Sequence, residues 1–372
     1  MYILITGNMG YVGPCVINQL RSSYPGGRLV GFDVGYFGNC ITSADVLPEC
    51  KLDVQYFGDM RKFPEHILKD CDAIVHLAAI SNDPIGNKFE EVTLDINYRA
   101  SIVLAKRAKE AGVKSFTFAS SCSMYGAAED SARTENSPLN PLTAYAKSKV
   151  LAERELEPLA DESFKVTSLR FSTACGWSDR LRLDLVLNDF VAGAVASKRI
   201  TILSDGTPWR PLINVKDMAR AIEWAISRDV TDGGKFLAVN VGSDEWNYQV
   251  KDLAEAVAKV TPDVDVSINE DAQPDKRSYR VNFDLFRKLA PEYQPKFSLI
   301  TSIKELKTGL EVIGFEDRDF RKSKYMRLNI LTQLRDKGFL DQNLQWAQKA
   351  SASPAGGRHA KEESLSILWF GA

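Results

Sequence analysis

Short apolar, β-branched runs alternate with stretches of helical periodicity through the first half of the chain. The runs at Tyr2–Thr6, Arg28–Asp33, Leu52–Asp59, Ala73–Ala78, Ser115–Ser120 and Lys165–Phe171 predict strands. Between them apolar residues recur at helical spacing, most clearly over Lys88–Ala111 and Ala144–Glu157. Continuous apolar runs mark strands buried on both faces, and parallel strands need a helical crossover to return. The pattern therefore predicts an α/β fold built on a doubly wound parallel sheet.

After Phe171 the pattern changes, and Gly, Trp, Pro and charge become interleaved. Helices are predicted near Asp184–Ser197, Lys216–Ser227 and Gln249–Val260, with strands at Ile200–Leu203, Lys235–Val241 and Asp263–Ile268. This half, residues 172–316, reads as a smaller substrate-binding lobe that returns some segments to the sheet of residues 1–171. Residues 317–349 are rich in Arg and Lys, with Leu328, Ile330, Leu331 and Leu334 at helical spacing, and predict a C-terminal helical extension. The Ser/Ala/Pro/Gly-rich start of residues 350–372 predicts a flexible tail, with an apolar Leu365–Phe370 near its end.

Composition narrows the functional classes. The 372 residues carry 47 Lys and Arg against 49 Asp and Glu, so the net charge of -2 gives no electrostatic case for nucleic acid or an acidic membrane surface. Six scattered cysteines contain no CxxC pair, which argues against a zinc site or a disulfide framework. Three histidines lack metal-ligand spacing, so no metal is expected. No stretch reaches the roughly 18 apolar residues of a membrane span, and a strand beginning at Tyr2 leaves no room for a signal segment. These features predict a cytoplasmic protein.

Two motifs carry the chemistry. Gly7, Gly10 and Gly13 follow the first strand and precede a helix, a context in which backbone N–H groups and the helix dipole meet a pyrophosphate without side-chain obstruction. Asp33 ends the second strand 20 residues past Gly13, where a carboxylate accepts ribose hydroxyls and repels a 2′-phosphate. The first half thus reads as a Rossmann domain that prefers NAD to NADP. Asp59 is a candidate for the adenine amino group, or else a solvated strand-end acid. Downstream, Tyr145 and Lys149 stand at i and i+4 on one helix face, so the ammonium can lower the phenol's pKa. Ser121, just past a core strand, adds a hydroxyl at the same sheet edge. The three make a proton relay for an alcohol or ketone.

Several further motifs stand in order: Gly58-Asp59, His76-Leu77-Ala78-Ala79, Asn97, Ser120-Ser121-Cys122-Ser123-Met124-Tyr125-Gly126, Leu169-Arg170-Phe171 and Trp209-Arg210-Pro211-Leu212-Ile213-Asn214. With them, residues 1–310 resemble the extended short-chain dehydrogenase/reductase family, in its NAD-dependent nucleotide-sugar epimerase/dehydratase branch. The resemblance implies Ser121, Tyr145 and Lys149 as catalytic residues. It implies a cofactor set of Gly7, Gly10, Tyr11, Val12, Gly13, Asp33, Asp59, Met60, Leu77, Ala78, Ala79, Asn97, Ser120, Tyr145, Lys149 and Phe171. The implied substrate set is Ser81, Asn82, Cys122, Ser123, Thr173, Asn188, Arg210 and Arg277. Within it the two arginines hold a diphosphate, and Arg280 competes with Arg277 for that place.

Departures from the family pattern narrow the reaction. Family 4,6-dehydratases carry an Asp and a Glu after the active-site Ser or Thr, where this chain has Cys122 and Ser123. The expectation is therefore an NAD-dependent nucleotide-sugar epimerase acting at C4 through a transient 4-keto sugar. The alternatives are a 4-ketoreductase or C4 dehydrogenase on the same scaffold, a C5 epimerase or atypical dehydratase using Cys122, and a non-catalytic sensor of NAD or nucleotide sugars. The family also implies a homodimer paired through Lys88–Ala111 and Ala144–Glu157.

Overall fold

The computed structural model describes residues 1–42, 45–81, 83–128, 131–269 and 277–347. Its strands are β1 (Tyr2–Thr6), β2 (Arg28–Asp33), β3 (Val54–Phe57), β4 (Ala73–His76), β5 (Ser115–Ser121), β6 (Lys165–Phe171), β7 (Thr173–Cys175), β8 (Arg199–Ile202), β9 (Trp209–Asn214), β10 (Phe236–Val241), β11 (Asn247–Gln249) and β12 (Asp265–Ile268). Its α-helices are α1 (Gly13–Ser23), α2 (Asp83–Lys88), α3 (Glu90–Leu94), α4 (Ala100–Glu110), α5 (Ala144–Leu156), α6 (Val186–Ser197), α7 (Val215–Ser227), α8 (Val250–Val260), α9 (Asp284–Leu289), α10 (Leu299–Val312) and α11 (Arg327–Asp336).

Seven strands form one parallel sheet in the order β10–β6–β5–β4–β1–β2–β3. The chain winds outward from β1 to β3, then crosses to β4 and winds the other way. That reversal opens a crevice at the carboxyl edge between β1 and β4. The expected doubly wound sheet is therefore present. Residues of β1 explain why its strands read as unbroken apolar runs. Ile3 and Ile5 pack with Val16, Ile17 and Leu20 of α1 and Ile222 of α7. Leu4 faces the opposite core, with Phe32, Ile74, Leu104 and Phe116. Each such fully buried side chain contributes about 1.5–3 kcal/mol.

Some boundaries need correction. The single helix expected over Lys88–Ala111 is a series of shorter pieces, because Phe89 takes the non-helical φ -130°, ψ 54° and residues Asp95–Arg99 form a π-helical turn. The strand expected over Ala73–Ala78 ends at His76, and beyond it the Leu77 N–H still donates to the Thr6 carbonyl at 3.0 Å.

The lobe holds a three-stranded sheet, β11–β9–β7, and a parallel pair, β12–β8. Its core joins Phe190 and Val191 of α6, Leu253 and Val257 of α8, and Ile303, Leu306 and Leu310 of α10. Strand β10 returns to the main sheet beside β6.

Of the predicted C-terminal extension, only Arg327–Asp336 is α-helical among the described residues. It and the segment after it lie across the carboxyl edge of the sheet. Leu331, Leu340 and Leu344 pack with Tyr36, Ile80, Ile85 and Phe89. The Tyr36 hydroxyl donates to the Leu344 carbonyl, and the Trp346 indole donates to the Val34 carbonyl at 2.8 Å. The predicted tail, residues 350–372, lies outside the described residues.

Candidate active site

The turn after β1 is glycine-rich for steric reasons. Gly7 has φ 74°, and a Cβ there would stand 2.5 Å from the Ala78 nitrogen. A Cβ on Gly13 would stand 1.8 Å from the Asn8 carbonyl oxygen, so α1 can begin against the turn only with glycine. Gly7, Gly10, Tyr11 and Val12 line a cavity of about 760 Å³, while Gly13 lies behind it and acts through packing. Asp33 lines the same cavity and braces the turn. Its carboxylate accepts the Met9 N–H at 3.0 Å and the Gly35 N–H at 2.7 Å. Burial raises the Asp33 pKa, and these two N–H donors oppose part of that rise. Leu77, Ala78 and Ala79 line the adjoining wall, with Met60 and Phe171. Asp59 also lines it, but its carboxylate is held by Arg61 through bonds of 2.5–3.0 Å. The tight turn, the braced carboxylate and the buried, unpartnered Ser120 hydroxyl form a cradle that fits NAD.

Helix α5 carries Tyr145 and Lys149. Thr143 caps it by accepting the Ala146 N–H at 3.2 Å. Buried Glu153, on its inner side, accepts both a forked bond from Arg170 of β6 (2.7–3.2 Å) and the Ser168 hydroxyl at 2.7 Å, which pins the helix to the sheet. Tyr145 and Lys149 both line the cavity. The Lys149 ammonium donates to the Ala119 carbonyl at 2.7 Å and lies 5.6 Å from the Tyr145 ring centre. Burial pulls its pKa down to about 7, partly opposed by Glu153. Ser121 Oγ accepts the Ser123 N–H at 3.1 Å, which leaves its own proton to donate into the cavity. The structure thus brings Ser121, Tyr145 and Lys149 into the cavity that the glycine turn also lines.

On the lobe side, Thr173, Arg210 and Arg277 line the cavity, as do Ser81 and Ser123. Trp209 N–H donates to the Ser278 hydroxyl at 3.1 Å, which joins the strand that carries Arg210 to the segment that carries Arg277. Arg280 instead lies over the Trp209 ring, 5.3 Å from its centre, and of the two Arg277 is the one that lines the cavity.

Besides Gly13, three expected site residues do not reach the cavity. Asn188 is fully buried: its amide donates to the Tyr11 hydroxyl at 3.0 Å and the Arg182 carbonyl at 2.8 Å, and accepts the Gly176 N–H at 3.1 Å. Those contacts tie the glycine turn to the lobe and leave nothing for a phosphate. Cys122 is also fully buried, with its thiol on the Arg170 carbonyl at 3.0 Å, and burial pushes its pKa well up. A thiol so placed is a packing residue and no base. Asn97, on the π-helical turn, clamps both backbone groups of Ile80 at 2.8 and 2.9 Å, so it shapes the loop after β4 from behind. Asn82 lies outside the described residues.

Three cavity-lining arginines, Arg182, Arg321 and Arg327, stand in no sequence motif. Arg182 holds Ser81 through its hydroxyl and its carbonyl, both at 2.9 Å, and lines the cavity. Arg327 reaches the cavity from α11. Among the described residues there is no group of three His, Cys, Asp or Glu side chains placed to hold a metal, and no helix long and apolar enough to cross a membrane.

Comparison with known proteins agrees with this geometry. The chain is 27% identical over 281 residues to a UDP-glucose 4-epimerase of Lactobacillus helveticus, covering 70% of this chain and 82% of that one. Its fold matches MoeE5 in complex with UDP-glucose and NAD, at a TM-score of 0.70 and 24% identity, over 84% of this chain and 99% of that one. It also matches a UDP-glucuronic acid 4-epimerase from Bacillus cereus, at a TM-score of 0.72 and 20% identity, over 84% of this chain and all of that one. The Epimerase family model matches residues 3–242, and the chain accordingly belongs to the NAD dependent epimerase/dehydratase family.

Proposed function

We propose that this chain is a cytoplasmic nucleotide-sugar epimerase that inverts C4 through a transient 4-keto sugar. The observation that carries the reading is a single cavity lined by the glycine turn, by Ser121, Tyr145 and Lys149, and by Arg210 and Arg277 on the lobe side. The glycine turn and Asp33 would hold NAD, which would supply a reversible hydride acceptor for the sugar carbon. Lys149 stabilises the Tyr145 phenolate, which takes the C4 hydroxyl proton and later gives it back. Ser121 donates to the same oxygen and holds it through both half-reactions. Arg210 and Arg277 grip the diphosphate as paired guanidinium forks, so the keto sugar can turn without leaving. The UDP-sugars named for the relatives make a uridine diphosphate sugar the first substrate to try.

The test uses purified protein with no added cofactor, incubated with UDP-glucose in D2O and followed by NMR. Two C4 epimers should appear, with no deuterium at C4. Stoichiometric consumption or release of NADH would instead establish a reductase or dehydrogenase, and deuterium at C5 would establish a C5 epimerase. We also propose a homodimer paired through α4 and α5, on which Val103 of α4 is 46% exposed. Light scattering should give twice the monomer mass, and a monomer at micromolar concentration would exclude that pairing.

A further inference from the structure

Part of the cavity wall, at Arg321, Met326, Arg327 and Leu331, lies beyond the family match, which ends at residue 242. Two of its arginines stand near Arg180 and Arg182 from within the match, and three of these four have carboxylate partners. Arg180 pairs with Glu49 at 2.9 Å, Arg182 with Asp184 at 2.6 Å and Arg321 with Asp189 at 2.6 Å. Arg327 differs. It is 2% exposed and lines the cavity. Its Nη2 donates to the Arg180 carbonyl at 3.1 Å, and its guanidinium lies 4.6 Å from the centre of the Phe37 ring. Its Nη1 has no hydrogen-bond partner, and no carboxylate lies within ion-pair distance among the described residues.

A buried guanidinium with no carboxylate in contact is unfavourable, even with Asp184 attracting it from a distance, and a well-packed apolar side chain would be more stable in its place. Packing therefore does not account for an arginine here, whereas an anion entering the cavity does. Planar guanidinium groups match phosphate oxygens in fixed geometry. We propose that Arg327 is a diphosphate-binding residue supplied by the C-terminal extension, and that the diphosphate is the one in the bound dinucleotide. The inference rests on the NAD dependence of the family. Phe37, beneath the guanidinium, stands two residues past Gly35, whose N–H holds the Asp33 carboxylate. That places Arg327 on the dinucleotide side of the cavity, whereas Arg210 and Arg277 come from β9 and the segment hydrogen-bonded to it. Burial also lowers the proton affinity of Arg327, an effect that an adjacent anion reverses.

The experiment compares the native enzyme with Arg327→Met and Arg327→Lys. Three quantities are read: NAD affinity of nucleotide-stripped protein, UDP affinity, and melting temperature without nucleotide. Arg327→Met should weaken NAD by about 10- to 100-fold, with UDP binding within about threefold of native. Its nucleotide-free melting temperature should be unchanged or higher, since a costly buried charge is gone. Arg327→Lys should recover part of the NAD affinity. Native-like NAD binding by Arg327→Met would overturn the proposal, as would a loss confined to UDP, which would assign the guanidinium to the nucleotide sugar. A lowered melting temperature with both ligands weakened equally would show a structural role and overturn it too. Failure of the native enzyme to bind NAD would count against the cofactor reading itself, a distinct outcome.

Discussion

Replacing Tyr145 with Phe should reduce kcat by about 10²- to 10⁴-fold while leaving NAD and UDP affinity within a few-fold of native. The substitution removes the proton carrier and keeps the ring that packs beside Lys149. Cys122→Ala is the informative control. The Cys122 thiol is fully buried against the Arg170 carbonyl, and burial holds it protonated. It should therefore turn over at a near-native rate, losing only a modest amount of packing. Steady-state kinetics on both variants check the assignment. An active Tyr145→Phe beside an inactive Cys122→Ala would replace the phenol mechanism with a thiol one.

Lys149→Met should abolish turnover and at the same time stabilise the nucleotide-free protein. Burial lowers the ammonium pKa from 10.5 to about 7. Between those values the unfolded chain binds more protons at this site than the folded one, so this group's contribution to stability rises with pH across that window. Below about pH 7 the full cost of burying the charge is present, on the order of a few kcal/mol at about 1.4 kcal/mol per pKa unit. Methionine keeps the side-chain length without the charge. The gain in melting temperature should thus be largest near pH 6 and shrink toward pH 10. A melting temperature that falls at pH 6 would mean that the bond to the Ala119 carbonyl outweighs the desolvation cost. Stability and catalysis are opposed at this residue, and binding an anionic cofactor reduces the conflict.

Much of the fold could be read from the chain because the physical constraints on it are local. Continuous apolar runs identify β1, β2 and β6 because both faces of each are buried. Gly7 and Gly13 are legible because no other residue fits against Ala78 and Asn8. Tyr145 and Lys149 are legible because four residues is one helical turn. Strands β7 and β11, of three residues each, are too short to show a period. Side-chain direction is the other gap. Asn188 and Cys122 sit beside family motifs, yet both turn inward, and nothing in their spacing distinguishes inward from outward. The extension shows the same limit. Leu331 and Leu334 indicate a helix, but the face it covers is set by contacts with Tyr36 and Ile80, about 300 and 250 residues away in sequence.

Contacts over such distances also impose an order in time. The seven-stranded sheet is complete once residue 241 has been made, whereas the segment that docks on Val34 and Tyr36 reaches to residue 346. At 5–20 residues per second, the 105 residues between (346 − 241) take about 5–20 s to synthesise. The part of the wall that carries Arg327 is thus among the last parts of the cavity to be made.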